Sequence, residues 1–369
     1  MKIMDYTTER RAEFAVEVTY HSVIDLLLSL WIMSRTAGGD PVTDLDLGES
    51  YGEDLYASLD AETRTHLEEL GSGEPWIALL SLVPTVREGG TVEEFLSAFA
   101  DHDPVDLRAR LIWLYQEFNE TEAVLAAKAA SGDLEAINEL LDAKPFSATS
   151  KKVWRETLRS LLEMEPTATR NLLLSMMRGL QDAGFDRYER EFRPFIESDF
   201  AAKKAMANRL SPQRLVELAS NGILIEDRNS DTPILLMPSM VARPWVVLCE
   251  SPDAYIMAYP VSSRTLSSDP DTPPAWLVKL HKALGDEKRL KVLRRLADGD
   301  ASLVELAAEL DIAKTTLHHH MMLLRAAGLI RVHVGQDKRF SLREETLPEA
   351  ATYLNHYIHR SQEQEDSTP

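Results

Sequence analysis

Three consecutive histidines, His318, His319 and His320, stand in "AKTTLHHHMMLLRAAGLI", Ala313 to Ile330, inside what otherwise reads as an apolar helix. Imidazole can ligate a metal, change charge near neutral pH, or exchange hydrogen bonds with a polar surface. Consecutive residues on a helix point ~100° apart, so three adjacent rings cannot converge on one ion; chelating pairs need a spacing of three or four. No metal site is expected here. With Leu317, Met321, Leu324 and Gly328 as the inward stripe, His318 and His319 face outward with Thr315 and Met322, and His320 lies beside the stripe.

Other chemistry is hard to find. There is no GxSxG elbow, Walker loop, HExxH or GxGxxG between a strand and a helix, and the carboxylates are scattered over helix faces, so an enzyme is not expected. Cys249 is alone, which rules out an intrachain disulfide or a thiolate cluster and suits a reducing cytoplasm. The apolar run Val23 to Met33 contains Asp25 and is shorter than the ~20 residues a membrane span needs. A signal-peptide pattern is also lacking. Cytoplasmic residence without membrane or cofactor is the expectation.

A formal net charge of −20 ordinarily argues against a nucleic-acid partner. The charge is uneven, however. Trp276 to Arg343 holds 13 Lys and Arg against 8 Asp and Glu, a net +5, which leaves −25 on the rest.

The elements that must position the histidines follow from periodicity and turn residues. "EFAVEVTY" alternates as a half-buried strand near 13–20, and "HSVID" offers Ser22 as N-cap and Asp25 in the first turn of an apolar helix. From Leu55 to about Ala219 the pattern is mostly helical with acidic outward faces. Short apolar runs between turn signals at 223–261 read as a small meander of strands, with which the early strand can pair. Within it, Arg243 and Trp245 can line a ligand site as anion donor and stacking surface, or serve as a turn-anchoring arginine and a core tryptophan.

The expected fold is mainly α. A multi-helix N-terminal domain with a small β-sheet, 1–265, is a place for an effector pocket or partner surface. An acidic, proline-rich linker follows at 266–274, then a module at 275–346 and a C-terminal helix at 347–361. In the module, helices over "WLVKLHKALG" and "DEKRLKVLRRLADG" precede "SLVELAAEL", where Ser302 and Glu305 form a capping box. A short turn leads into the histidine helix, Gly328 ends it, and "LIRVHV" and "RFSL" flank a tight turn. This order is that of a winged helix-turn-helix, with a recognition helix at about 313–327 for the major groove and a wing at 331–342 for the backbone or minor groove.

"LGDEKRLKVLRRLADGDASLVELAAELDIAKTTLHHHMMLLRAAGLIRVHVGQDKRFSL" resembles the DNA-binding domain of the ArsR family of bacterial transcriptional regulators. The likeness covers less than a quarter of the chain, and "LMPSMVARPWVVL" is similar to a stretch in actinobacterial members with long N-terminal regions. It implies a homodimer on a near-palindromic double-stranded operator, paired through the helices Trp276 to Leu284 and about Pro348 to Ile358. His320 falls on a histidine common in the family's recognition helix: a phosphate contact from the helix flank, or a half-buried side chain. His318 takes a slot where the family often has serine. Lys314, Thr315, Thr316, His318, His319 and His320 make the base- and phosphate-reaching set, with Arg325, Lys338 and Arg339 as further phosphate contacts. Lys288, Arg289, Lys291, Arg294 and Arg295 read mostly as a solvated helix face, Arg289 matching a recurrent family arginine. The cysteine pair of metal-sensing members is missing from "SLVELAAEL", and His356 and His359 read as part of a soluble terminal helix. The alternative is an adaptor that uses the same fold on a protein partner without binding DNA.

Overall fold

The computed structural model describes residues 14–42, 45–48, 50–114, 118–142, 152–225, 232–250, 255–262, 273–335 and 337–365. These divide into two compact units: Glu17–Lys204 with Thr232–Val261, and Ala205–Asp231 with Ser262–Pro369 and the chain start up to Val16. The protein is mainly α, with two small mixed sheets.

The first unit begins with β1 (Val16–Val18), α1 (Val23–Ala37), α2 (Ser50–Ser58), α3 (Ala61–Leu70) and α4 (Glu74–Leu79). After a 3₁₀ turn come α5 (Val92–Asp101), α6 (Pro104–Trp113), α7 (Glu120–Ser131), α8 (Leu134–Asp142) and α9 (Lys152–Glu163). Then α10 (Pro166–Leu180) and α11 (Asp186–Ala207) flank a π-helical turn kinked at Gly184, whose φ of 101° favours glycine. α1 is apolar nearly all round, and Ile24, Leu26, Leu27, Leu28, Leu30 and Met33 are almost fully buried, so it is the central helix of this unit. Ser22 does precede α1 but makes no capping bond, because its backbone is already helical; its hydroxyl instead accepts from Arg193 Nη2 at 3.3 Å. Asp25 stands in the first turn, as expected, and is buried there. Its carboxylate accepts from Ser239 Oγ and from the amides of Met240 and Val241 at 3.1 and 3.2 Å.

In chain order β2 (Ile223–Ile225) belongs to the second unit, while β3 (Ile234–Ser239), β4 (Val247–Glu250) and β5 (Tyr255–Pro260) form the first unit's sheet. Its order is β1-β3-β5-β4, and Thr19 N donates to Leu236 O at 3.1 Å, so the early strand does pair there. It is not a simple meander. β3 runs parallel to β5, with β4 antiparallel on the far side of β5. Both central strands are buried on both faces, which requires continuous apolar runs such as "ILLM" rather than alternation. After β3, Arg243 is pinned by Val261 O and by Asp46 Oδ2 at 2.9 Å, and Trp245 is 9% exposed, so the pair anchors a turn and a core.

The second unit comprises α12 (Pro212–Ala219), β2, α13 (Ala275–Leu284), α14 (Glu287–Leu296), β6 (Ala301–Ser302), α15 (Leu303–Leu310), α16 (Lys314–Ala326), β7 (Ile330–Val334), β8 (Arg339–Leu342) and α17 (Thr346–Glu365). Its sheet has the order β2-β7-β8-β6. Ile223–Ile225 therefore leaves the 223–261 sheet in which the apolar runs place it and adds a parallel strand to the wing, opposite Val332, His333 and Val334. Most of the 266–274 linker lies outside the described residues.

Candidate nucleic-acid interface

α16 is held by its apolar face. Leu317, Met321 and Leu324 share one core with Val292, Leu293 and Leu296 of α14, Leu306 and Ala307 of α15, and Ile330, Val332 and Phe340 of the wing. Each fully buried leucine contributes roughly 1.5–3 kcal/mol relative to exposure. Ser302 accepts from Glu305 N while the Glu305 carboxylate accepts from Ser302 N, the expected capping box. Asp311, at φ 51°, ends α15, and the buried Ile312 seats the turn into α16. Gly328, at φ 71°, lets the chain leave α16 for β7.

The opposite face is open. Lys314, Thr315, Thr316, His318 and His319 are all exposed, on the first half of the helix, and α16 carries no acidic residue. Ala313, at the N-cap, has no side-chain oxygen to receive the first-turn amides, so these N–H groups can serve an outside acceptor such as phosphate. Threonine and imidazole groups beside such amides can exchange hydrogen bonds with base edges.

His320 differs from its neighbours. It is 7% exposed, and both ring nitrogens are closed off from solvent with no hydrogen-bond partner among the described residues. Burial lowers its pKa, opposed in part by the nearby Asp286 carboxylate. A direct phosphate contact is thus not available to His320 in this conformation, because the ring is turned into the core margin.

The basic residues separate just as clearly. Lys314 and Lys338 are exposed, and Lys338 Nζ lies 5.9 Å from the Phe340 ring centroid. Arg339 is turned back onto the fold: Nη2 donates to Asp300 O at 2.8 Å and Nη1 lies 3.3 Å from Glu305 Oε2. It fastens the wing to the start of α15 instead of reaching outward. Arg325 is also withdrawn, and burial brings its pKa down to about 10. Arg289 donates to Ala283 O and Lys282 O at 2.6 and 2.8 Å, satisfying carbonyls at the end of α13. Lys291, Arg294 and Arg295 pair with Glu287, Asp298 and Glu309 on the outer face of the module.

Residues outside the family-like stretch also shape the site. Asn221 and Glu217 bond to α16 and to the wing; their only sequence signal is the "SNG" turn after an amphipathic helix. Among the described residues no His, Cys, Asp and Glu cluster could hold a metal, and no helix is long and apolar enough to cross a membrane. The side chains of His356 and His359 lie outside the described residues.

A trihelical core with a short turn into an exposed, acid-free helix and a hairpin wing defines the class of winged helix-turn-helix proteins. A family profile described as a helix-turn-helix domain matches residues 284–333. The transcriptional repressor SdpR of Bacillus subtilis is 30% identical over 80 residues, 21% of this chain and 89% of that protein. The transcriptional activator HlyU of Vibrio cholerae is 30% identical over 82 residues, 22% of this chain and 76% of its own. A crystal structure of an ArsR family transcriptional regulator is 29% identical, covering 27% of this chain and 98% of the other with a TM-score of 0.21. The chain belongs to the helix-turn-helix transcriptional regulators of the ArsR/SmtB superfamily, its regulator domain lying behind an additional helical domain.

Proposed function

We propose that this chain is a cytoplasmic, homodimeric regulator that binds a near-palindromic double-stranded operator through α16 in the major groove, with the wing on the backbone or minor groove. The observation that carries this reading is the composition of α16: its buried face fixes it to the core while Lys314, Thr315, Thr316, His318 and His319 stand exposed with no carboxylate among them. Lys314 and Lys338 supply phosphate contacts, and the threonines with His318 and His319 reach base edges. Dimerisation runs through α13 and α17, whose Val278, Leu347 and Ile358 are 36%, 39% and 59% exposed, apolar surface that a second copy can cover.

The test is selection of bound fragments from sheared genomic DNA, followed by fluorescence anisotropy on an enriched duplex and a mixed-sequence duplex of the same length. Tighter binding to the enriched duplex, by at least ~10³-fold, is expected for specific recognition. Equal affinity for both sinks the sequence-specific reading.

The helical unit is the place for a small-molecule effector. A cavity of about 590 Å³ opens at the α10–α11 kink, lined by Glu93, Arg178, Asp182, Asp186, Arg187 and Arg190. Guanidiniums and carboxylates around one space favour a charged, polar ligand over an apolar one. Thermal-shift screening against charged metabolites, with Arg178→Ala as the control that should abolish any shift, tests this placement.

A further inference from the structure

Asn221 is far from the recognition helix in sequence and touches its end in the fold. Its side-chain amide donates to Arg325 O and Ala326 O, both at 3.2 Å, in the last turn of α16. Its Oδ1 accepts from Arg343 Nη1 at 3.3 Å, just beyond the wing. The two carbonyls only accept and the guanidinium only donates, so the amide has a single orientation that satisfies all three. The backbone fits the task as well. Asn221 has φ 56°, a left-handed conformation that Asn tolerates better than most residues, and Gly222 follows at φ 111°.

The neighbouring glycines close the joint. A Cβ on Gly222 would meet Ile330 O at 2.7 Å, and one on Gly328 would meet Asn221 Oδ1 at 2.8 Å. Val332 N donates to Gly222 O at 2.8 Å, which starts the parallel pairing of β2 with β7. One short turn thus bonds to the last turn of α16, to the first wing strand and to the segment after the wing.

We infer that Asn221 is a positioning residue for DNA recognition: it fixes the end of α16 relative to the wing, making α12 and β2 part of the DNA-binding apparatus. The inference rests on the DNA-binding reading above. Changes that reach Ser211–Ile225 through the chain then alter how α16 and the wing are presented together, without touching a DNA-facing side chain.

The test uses the full-length protein with Asn221→Gly and Asn221→Asp. Glycine keeps the left-handed backbone and loses the amide; aspartate keeps the backbone and the Arg343 contact but cannot donate to the two carbonyls. Each variant is measured on the enriched and mixed-sequence duplexes described above, with the melting temperature followed in parallel. Both variants are expected to stay folded and to lose about tenfold in the ratio of enriched to mixed-sequence affinity, the scale of one or two lost hydrogen bonds. Hydrogen exchange should rise in Leu323–Leu329 amides. An unchanged ratio with a lowered melting temperature would make Asn221 merely structural and overturn the inference, as would loss of the folded state in both variants. Wild-type protein that fails to prefer any genomic duplex refutes the DNA-binding reading itself, a distinct result.

Discussion

Arg331 Nε donates to Glu217 Oε1 at 2.6 Å, joining the first wing strand to a helix 114 residues earlier. Glu217 also accepts from Arg214 Nη1 at 2.5 Å, while Arg331 reaches on to Leu342 O at 3.1 Å and to the Glu345 carboxylate. Burial alone would raise the Glu217 pKa, but the hydrogen bonds from Arg331 and Arg214 outweigh it and the net shift is downward. A carboxylate 4% exposed is held ionised by two guanidiniums. The wing is thereby tied to α12 at its base as well as along β2.

Glu217→Gln should therefore destabilise the protein at neutral pH by roughly 1–3 kcal/mol, the range for breaking charge-assisted bonds at a buried site. Because the folded pKa lies below the unfolded value, this contribution is present above the unfolded pKa and is lost as pH falls through the folded one. Urea midpoints should show a constant gap between wild type and variant down to about pH 5, shrinking below that. A gap that widens in acid would contradict the pairing.

Salt dependence separates the basic residues by role. Lys314→Ala and Lys338→Ala should each flatten the slope of log affinity against log salt by ~0.9 if each lysine neutralises one phosphate, with little change in stability. Arg339→Ala should leave the slope nearly unchanged and lower the melting temperature, because its guanidinium is bound to Asp300 O and beside Glu305. A reversed pattern, with the slope carried by Arg339 alone, would mean that the wing rearranges on DNA.

What the sequence reveals depends on how local the determining physics is. α15 and α16 are legible because their signals are local: the Ser302–Glu305 box, the left-handed Gly328 and the stripe of Leu317, Met321 and Leu324. The outward turn of His318 and His319 follows from helical pitch alone. The parallel pairing of β3 with β5 is not legible, since short apolar runs do not encode which neighbour they take. Three residues, Ile223–Ile225, look the same whether they join the first sheet or the wing. Nor does sequence show where a long side chain goes: Arg325 and Arg339 look as available as Lys314, yet Arg325 is withdrawn by burial and Arg339 is drawn inward by the Asp300 carbonyl and the Glu305 carboxylate.

The dimer surface has a direct test. Leu347→Asp and Ile358→Asp place a charge on apolar positions that are 39% and 59% exposed in the single chain. Burying an unpaired carboxylate in an interface is strongly unfavourable, so light scattering should show each variant shifted toward monomer, with weaker operator binding. Unaltered mass at micromolar concentration would place the interface elsewhere.

The histidine triplet should divide under substitution. His318→Ala and His319→Ala remove exposed rings and should change stability by no more than ~0.5 kcal/mol, so any loss of binding reports on DNA. His320 has buried nitrogens without hydrogen-bond partners among the described residues, and replacing it by methionine, of similar volume, removes a polar group that lacks compensation there. His320→Met should be neutral or stabilising at pH 7.5. Since burial lowers the folded pKa of His320, the unfolded chain takes up the proton first as pH falls below about 6.5, and the wild type loses stability there. The variant lacks that loss, so its advantage in urea midpoint should grow between pH 7.5 and pH 5.5. A constant difference across that range would mean that His320 does not become more costly to bury in acid, and its ring would then have to find a hydrogen-bond partner or reach solvent.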